Sequence, residues 1–358
     1  MVAQEGSLRQ IPDLHLAPLL FGHGFIYPDR LRDKTAHSNQ RIQVVDCLRG
    51  FALFGLFIVH MVEYFELFWY APEWGWVHDT VFFLFGGKAY AIFALLFGLS
   101  FFIIMDKQER RGIDFRGRFA WRLALLLAMG LLHQLLYSGD ILQVLALSGF
   151  LLVLIYPLSS KSILLLAGIC ILQVPLLAHL GLLAAGMIDG GPPLHWAIMG
   201  DTFAIYANGS FAEVVQRNMG LGLVGKWLFA IESGRLWNMI GLFLVGFVLG
   251  RARFFENYRE KLPLCFAALA ACLFLLGIVH VGQALVTASA LAADTSRLAG
   301  EILGNYSNNL LTVAGVLLFL LVYGLRWPRK LMDLLAPSGR MSLTVYLTQS
   351  LYGIPLFY

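Results

Sequence analysis

VVDCLRGFALFGLFIVH, residues 44–60, is an apolar helix interrupted by Asp46, Arg49 and His60. Ionisable groups inside such a run are costly, and where they persist they face a bundle interior or a watery cavity. On a helix turning about 100° per residue, with Asp46 as origin, Arg49 falls at about −60° and His60 at about −40°. The three share one face, with His60 about 16 Å further along the axis than Arg49. Each keeps two readings at this point. Asp46 and Arg49 are a helix-start ion pair or the mouth of an internal polar path; His60 is a histidine satisfied by a nearby carbonyl or a reactive base.

The rest of the chain explains the apolar background. Its 358 residues are 59% hydrophobic and only 13% charged, with a mean hydropathy of +0.73. A soluble domain spends roughly a quarter of its residues on charge, so lipid must cover this one. Apolar runs of membrane-spanning length recur, whereas the alternating segments of a β-barrel do not. The expected fold is an all-α polytopic membrane protein, a bundle of nine to ten transmembrane helices. Spans are read at 44–69, 81–105, 119–137, 140–157, 162–186, 235–251, 263–292, 308–325 and 340–358. This divides the chain into an N-terminal cytoplasmic segment (1–40), a five-helix half (41–186), an extracytoplasmic amphipathic segment (187–232) and a C-terminal transmembrane half (233–358).

Lys and Arg concentrate in the connections DKQERRGIDFRGRFAWR (106–122), RARFFENYREK (251–261) and RWPRK (326–330). These fall on one side with this helix count, which predicts that side, and the N-terminus, to be cytoplasmic. Cys47, Cys170, Cys265 and Cys272 lie in apolar segments without metal-ligand spacing and read as buried hydrophobes. The scattered histidines offer no metal site, and no phosphate-binding loop, dinucleotide fingerprint or nucleic-acid signature is present.

Further candidates flank the first helix. Lys88 enters the apolar run GGKAYAIFALLFGLSFF and is either a snorkelling side chain or part of a path. Before it, EWGWVHD supplies Trp74 and Trp76, which suit interface anchors, and His78 with Asp79, which suit a base and its neighbour. His133 and Asp140 flank the turn of the hairpin WRLALLLAMGLLHQLLYSGDILQVLALSGF, near the outer surface. Arg118 and Arg122, at i and i+4, offer paired donors to phosphate or express only the charge bias of the loop. Glu63 and Glu66 read as interfacial, turned away from His60 by about 60° or more.

The blocks VVDCLRGFALFGLFIV, GGKAYAIFALLFGLSF, WRLALLLAMGLLH with SGDILQVLAL, and SGRMSLTVYLTQS resemble the YeiB-like family (domain of unknown function 418), in family order. That family's pattern continues past SGRMSLTVYLTQS to a GPxEWxWR-like ending, which the printed PLFY does not show. The family is similar in turn to transmembrane acyltransferases, including the acyltransferase-3 enzymes and heparan glucosaminide acetyltransferase. The shared mark is Asp-x-x-Arg followed by His or Asn fourteen residues after the Asp, met here by Asp46 and His60. YeiB-like proteins commonly carry Asn there; this chain carries the His of the acyltransferases. The resemblance implies His60 and Asp46 as catalytic residues, and Arg118 and Arg122, with Arg49 and Lys88, as donor-binding residues for an acyl-CoA such as acetyl-CoA. His133, Asp140, His78 and Asp79 remain acceptor-side candidates.

The leading expectation is thus an integral-membrane acyltransferase of the bacterial inner membrane, surrounded by lipid, moving an acyl group to an outer glycan or lipid acceptor. Assembly as a homo-oligomer is open to it. The alternative is a transporter or flippase of a small metabolite or lipid, since a polar helix face also lines permeation paths. Against transport stands the lack of a visible internal repeat or of helices broken at matching positions. A scaffold, with the three residues as packing contacts, is a third reading.

Overall fold

The structure is a computed structural model that describes residues 42–65 and 67–357. The N-terminal segment 1–40 and Glu66 lie outside the described residues, among which every regular element is helical. The first half comprises α1 (Gln43–His60), running on through a π-helical turn at Met61–Phe65, then α2 (Trp76–Leu84), α3 (Lys88–Glu109), α4 (Arg116–Gln134) and α5 (Leu142–Ile155). Next come α6 (Ser160–Ile171), α7 (Val174–Ala184), α8 (Leu194–Asn208), α9 (Phe211–Met219) and α10 (Leu221–Glu232). The remainder is α11 (Arg235–Arg251), α12 (Leu262–Ala288), α13 (Ala293–Tyr323), α14 (Arg326–Met332), a 3₁₀ turn at Asp333–Leu335, α15 (Ala336–Arg340) and α16 (Ser342–Phe357).

The expected nine to ten spans are not all met by length and apolarity. Four stretches among the described residues are long and apolar enough to cross a bilayer: Gln43–Glu63, Trp76–Glu109, Leu262–Ala288 and Ala293–Tyr323. The number rises to six if the bent pairs α6/α7 and α10/α11 each count as one span. The shortfall has physical causes. α5 has only 14 residues, and α4 opens with the charged sequence RGRFAWR. α16 has 16 residues, short of the ~20 that span hydrocarbon.

The spans divide by environment. The most apolar window of α12 is only 11% buried, and Leu264, Phe266, Phe274 and Leu285 project outward, a surface that only lipid satisfies. α1 and α3 are more than half buried and form the centre with α11. There, backbones touch: a Cβ on Gly98 would lie 2.0 Å from the Phe243 carbonyl oxygen, and one on Gly246 would lie 1.9 Å from that of Leu95. Small residues permit such approach where helices pack in lipid.

α15 docks on α1 in the same reciprocal way. A Cβ on Gly50 would lie 2.1 Å from the Leu335 oxygen, and one on Gly339 would lie 1.8 Å from the Asp46 oxygen. The LRG and SGR stretches thus meet through their glycines. This is also the end where the basic connections gather. Arg253 reaches Asp106 at 4.0 Å, and Gln43 donates to Asp333, itself 3.8 Å from Arg329.

Candidate functional site

At the opposite end of α1, a cavity of about 110 Å³ opens between α1, α3, the α4–α5 turn and the α8–α11 segment. His60 lines it and is 9% exposed. The ring of Tyr137 lies 5.1 Å from His60 and 5.7 Å from His133. Tyr346 stands 6.0 Å from His60 and 5.6 Å from His133. Two tyrosines therefore separate the two histidines and fix both rings.

His133 is held at both nitrogens. Nδ1 lies 2.8 Å from Asp140 Oδ1, and Nε2 lies 2.8 Å from Ser350 Oγ. Asp140 Oδ2 accepts the Gln143 backbone N–H at 3.3 Å, which caps the start of α5. An ionised Asp140 makes Nδ1 the protonated nitrogen, so Nε2 accepts from the Ser350 hydroxyl. α16 is pinned at two more points: Tyr346 Oη accepts from the Ile141 N–H at 3.0 Å, and Gln349 donates to the Leu53 carbonyl at 3.3 Å.

The structure thus brings together His60, Asp140 and, behind the tyrosines, His133. It separates the others. Asp46 and Arg49 form the expected pair, 3.0 Å apart, with Arg49 donating also to the Gly339 carbonyl at 3.2 Å and to Ser100 at 2.8 Å. They sit about 21 Å and about 16 Å, respectively, along α1 from His60. Arg118 and Arg122 are exposed at the start of α4, Arg122 over the Phe115 ring at 5.0 Å. Lys88 does not join them. It heads α3, whose 22 residues place it about 32 Å from the basic loop, and it donates to the Phe82 carbonyl at 3.0 Å. His78 and Asp79, 3.1 Å apart, belong to an aromatic cluster in which Phe68 stacks on His78 at 4.1 Å.

Several cavity residues escaped the sequence reading. Glu63 lines the same cavity as His60 instead of turning away from it. The cavity borders a stripe of this helix, Leu56, Val59, His60 and Glu63 at i, i+3, i+4 and i+7, which is wide enough to include a residue about 60° round from the histidine. Lys226 and Arg235 line the cavity from α10 and α11. A lone lysine in GLGLVGKWLF was the available signal. Ser350 and Gln349 were equally visible as polar positions of SLTVYLTQS.

The bent pairs also correct an expectation. α6 and α7 break by 42°, α10 and α11 by 66°. The breaks adjoin: Gly234, at φ +75°, packs on Gln173, at φ 53°. Asn305 bridges them, donating to Gln173 Oε1 at 3.2 Å and to the Ser233 carbonyl at 2.8 Å.

Two family profiles match the chain. Residues 41–201 match the heparan-α-glucosaminide N-acetyltransferase catalytic family, and residues 249–358 match the family described as protein of unknown function DUF418. The chain is 31% identical over 145 residues to the uncharacterised protein YxaH of Bacillus subtilis, covering 36% of each. It is 28% identical over 144 residues to an uncharacterised 39.9 kDa protein from the amylase 3′ region of Bacillus acidopullulyticus, covering 39% of this chain and 41% of that one. The alignments thus span about two fifths of these relatives' lengths.

Proposed function

We propose acyl transfer for this chain, a YeiB-like membrane protein related to the heparan-α-glucosaminide N-acetyltransferases. An acyl-CoA, acetyl-CoA in the simplest case, approaches the basic-loop end with its phosphates against Arg118, Arg122 and Arg49. The acceptor occupies the cavity beside His60. The observation carrying this reading is a buried histidine on a cavity wall, inside the stretch that matches the acetyltransferase catalytic family.

His60 acts as general base. It takes the proton of an acceptor hydroxyl or amine as that atom attacks the thioester carbon. The new C–O or C–N bond forms, the C–S bond breaks, and the departing CoA thiolate takes the proton back. Asp46 and Arg49, clamped to Gly339 and Ser100, hold α1 at the donor end. The donor-binding set excludes Lys88, which the geometry ties to α2. On this reading the basic end faces the cytoplasm, the cavity faces outward, and the protein resides in a bacterial inner membrane.

The decisive experiment is transfer of labelled acetyl from acetyl-CoA in membranes carrying wild type or His60→Ala. The variant folds and transfers nothing; a fully active variant sinks the assignment. The adjoining broken helices favour one second reading, transport, because such breaks build substrate sites in secondary transporters. Counterflow of a labelled solute in proteoliposomes, with no covalent product, would establish it.

A further inference from the structure

His60 and His133 are both buried, and they are held differently. The ion-paired histidines among the described residues are His78, His133 and His195; His60 is not one of them. A general base needs what Asp140 and Ser350 give His133, a partner that decides which ring nitrogen stays bare.

α16 supplies such a partner. Tyr346, Gln349 and Ser350 stand at i, i+3 and i+4 and share one face of that helix. The Tyr346 ring meets both histidines, and the Ser350 hydroxyl serves His133. Gln349 is buried beside them. Its Nε2 donates to the Leu53 carbonyl at 3.3 Å, which anchors the amide, and that amide stands within reach of the His60 ring. Direction agrees with this. Leu53 and His60 are two turns apart and about 20° from one another around α1. Helical side chains lean toward the N-terminus, so the His60 ring hangs back toward the level at which Gln349 is anchored.

The other end of the amide is unused. Gln349 Oε1 is buried, and no donor closes on it at hydrogen-bond geometry. An unmet buried acceptor is costly, and a neutral imidazole beside it has one N–H to give. An amide also suits the task, because it orients the ring without a fixed negative charge beside a base that must take up and then release a proton.

We propose that Gln349 positions His60: its Oε1 takes the N–H of one ring nitrogen and leaves the other, bare nitrogen directed into the cavity. The base role rests on the acyl-transfer reading; the choice of tautomer does not. Gln349 touches neither acyl group nor acceptor and acts only through the histidine. The stretch matched to the family of unknown function, residues 249–358, thereby orients a residue of the stretch matched to the acetyltransferase family, residues 41–201.

The test compares full-length Gln349→Leu and Gln349→Glu with wild type. Gln349→Leu removes both amide functions, whereas Gln349→Glu keeps an acceptor for the ring. Transfer of labelled acetyl from acetyl-CoA to the membrane fraction reads the rate. In Gln349→Leu the maximal rate falls about a hundredfold with the KM for acetyl-CoA unchanged, and in Gln349→Glu it returns to within about tenfold of wild type. Nitrogen NMR of protein carrying isotope-labelled histidine reads the ring directly, with the His60 signals assigned by their loss in His60→Gln. Wild type shows one neutral tautomer at His60, and Gln349→Leu shows both. An unchanged maximal rate or an unchanged tautomer in folded Gln349→Leu overturns the proposal, as does a wild-type His60 already divided between tautomers. Should Gln349→Leu not fold, Gln349→Met, which matches glutamine in length, takes its place with the same outcomes. If wild type transfers no acetyl, the acyl-transfer reading fails and the spectra alone decide the positioning role.

Discussion

Replacing Gly339 by alanine perturbs a single contact whose cost can be worked from the geometry. The added Cβ would lie 1.8 Å from the Asp46 carbonyl oxygen and 2.9 Å from the Gly50 nitrogen, where ordinary contact begins at 3.4 Å. α15 must withdraw by about 1.6 Å to relieve the first overlap. Both neighbours are backbone atoms of a central helix, so no side chain can rotate away. Overpacking of this kind costs about 1–3 kcal/mol. The withdrawal also stretches the 3.2 Å bond from Arg49 to the Gly339 carbonyl, a charge-assisted interaction worth about 1.5–3 kcal/mol when intact. A loss of about 2–4 kcal/mol is expected, with Arg49 released from its clamp. The assay is unfolding in detergent by heat or denaturant. Gly117→Ala serves as control, because a Cβ there meets nothing within 4 Å and helix propensity favours alanine by about 0.5–1 kcal/mol. Equal stability of Gly339→Ala and wild type would refute the claim that these two glycines set the approach of α15 to α1.

Lys88→Met removes the bond to the Phe82 carbonyl and is expected to lower the unfolding midpoint while leaving acetyl-CoA affinity unchanged; weakened acetyl-CoA binding in a stable variant would return Lys88 to the donor site. Burial pushes the Asp333 carboxyl up, but hydrogen bonds from Tyr323, Gln43 and Cys47, with Arg329 nearby, outweigh it and hold the group below the usual carboxylate range. A depressed folded pKa means the stabilisation is present above the unfolded value of about 3.9 and is lost as pH falls through the folded one. The unfolding midpoint of wild type should therefore drop more steeply than that of Asp333→Asn on acidification below about pH 4; parallel pH profiles would contradict this.

The polar face of α1 was legible because helical periodicity is a local property. Asp46 and Arg49 pair as their spacing implies, and His60 faces the interior. The same arithmetic put Glu63 about 60° round from His60, and the error lay in taking that offset to be outside the site, since the cavity borders the whole stripe from Leu56 through Val59 and His60 to Glu63. The break at Gln173 was signalled by Pro175, yet hydropathy runs through it and masks a change of direction inside the span read at 162–186, whereas the break at Gly234 falls at the boundary read between the 187–232 segment and the 235–251 span. The cavity was out of reach for another reason. Its walls come from residues 56–90, 138–144 and 199–239, and only the folded chain shows that a lysine in α10 and a histidine in α1 line one cavity.

The clamp on α16 has a consequence for biogenesis. Leu53 finds its partner Gln349 after 296 residues, Arg49 its partner Gly339 after 290, and His133 its partner Ser350 after 217. Synthesis at ~5–20 residues per second leaves the nascent first span for tens of seconds without these contacts. During that interval an aspartate, an arginine and a histidine reside in a helix whose mates are still on the ribosome. The insertion machinery must shelter that helix until the SLTVYLTQS segment arrives. The two regions matched to different families are thus one assembly unit: a ribosome stalled before α16 would leave every residue of the acetyltransferase-like stretch in place, with His133 and Leu53 still lacking Ser350 and Gln349.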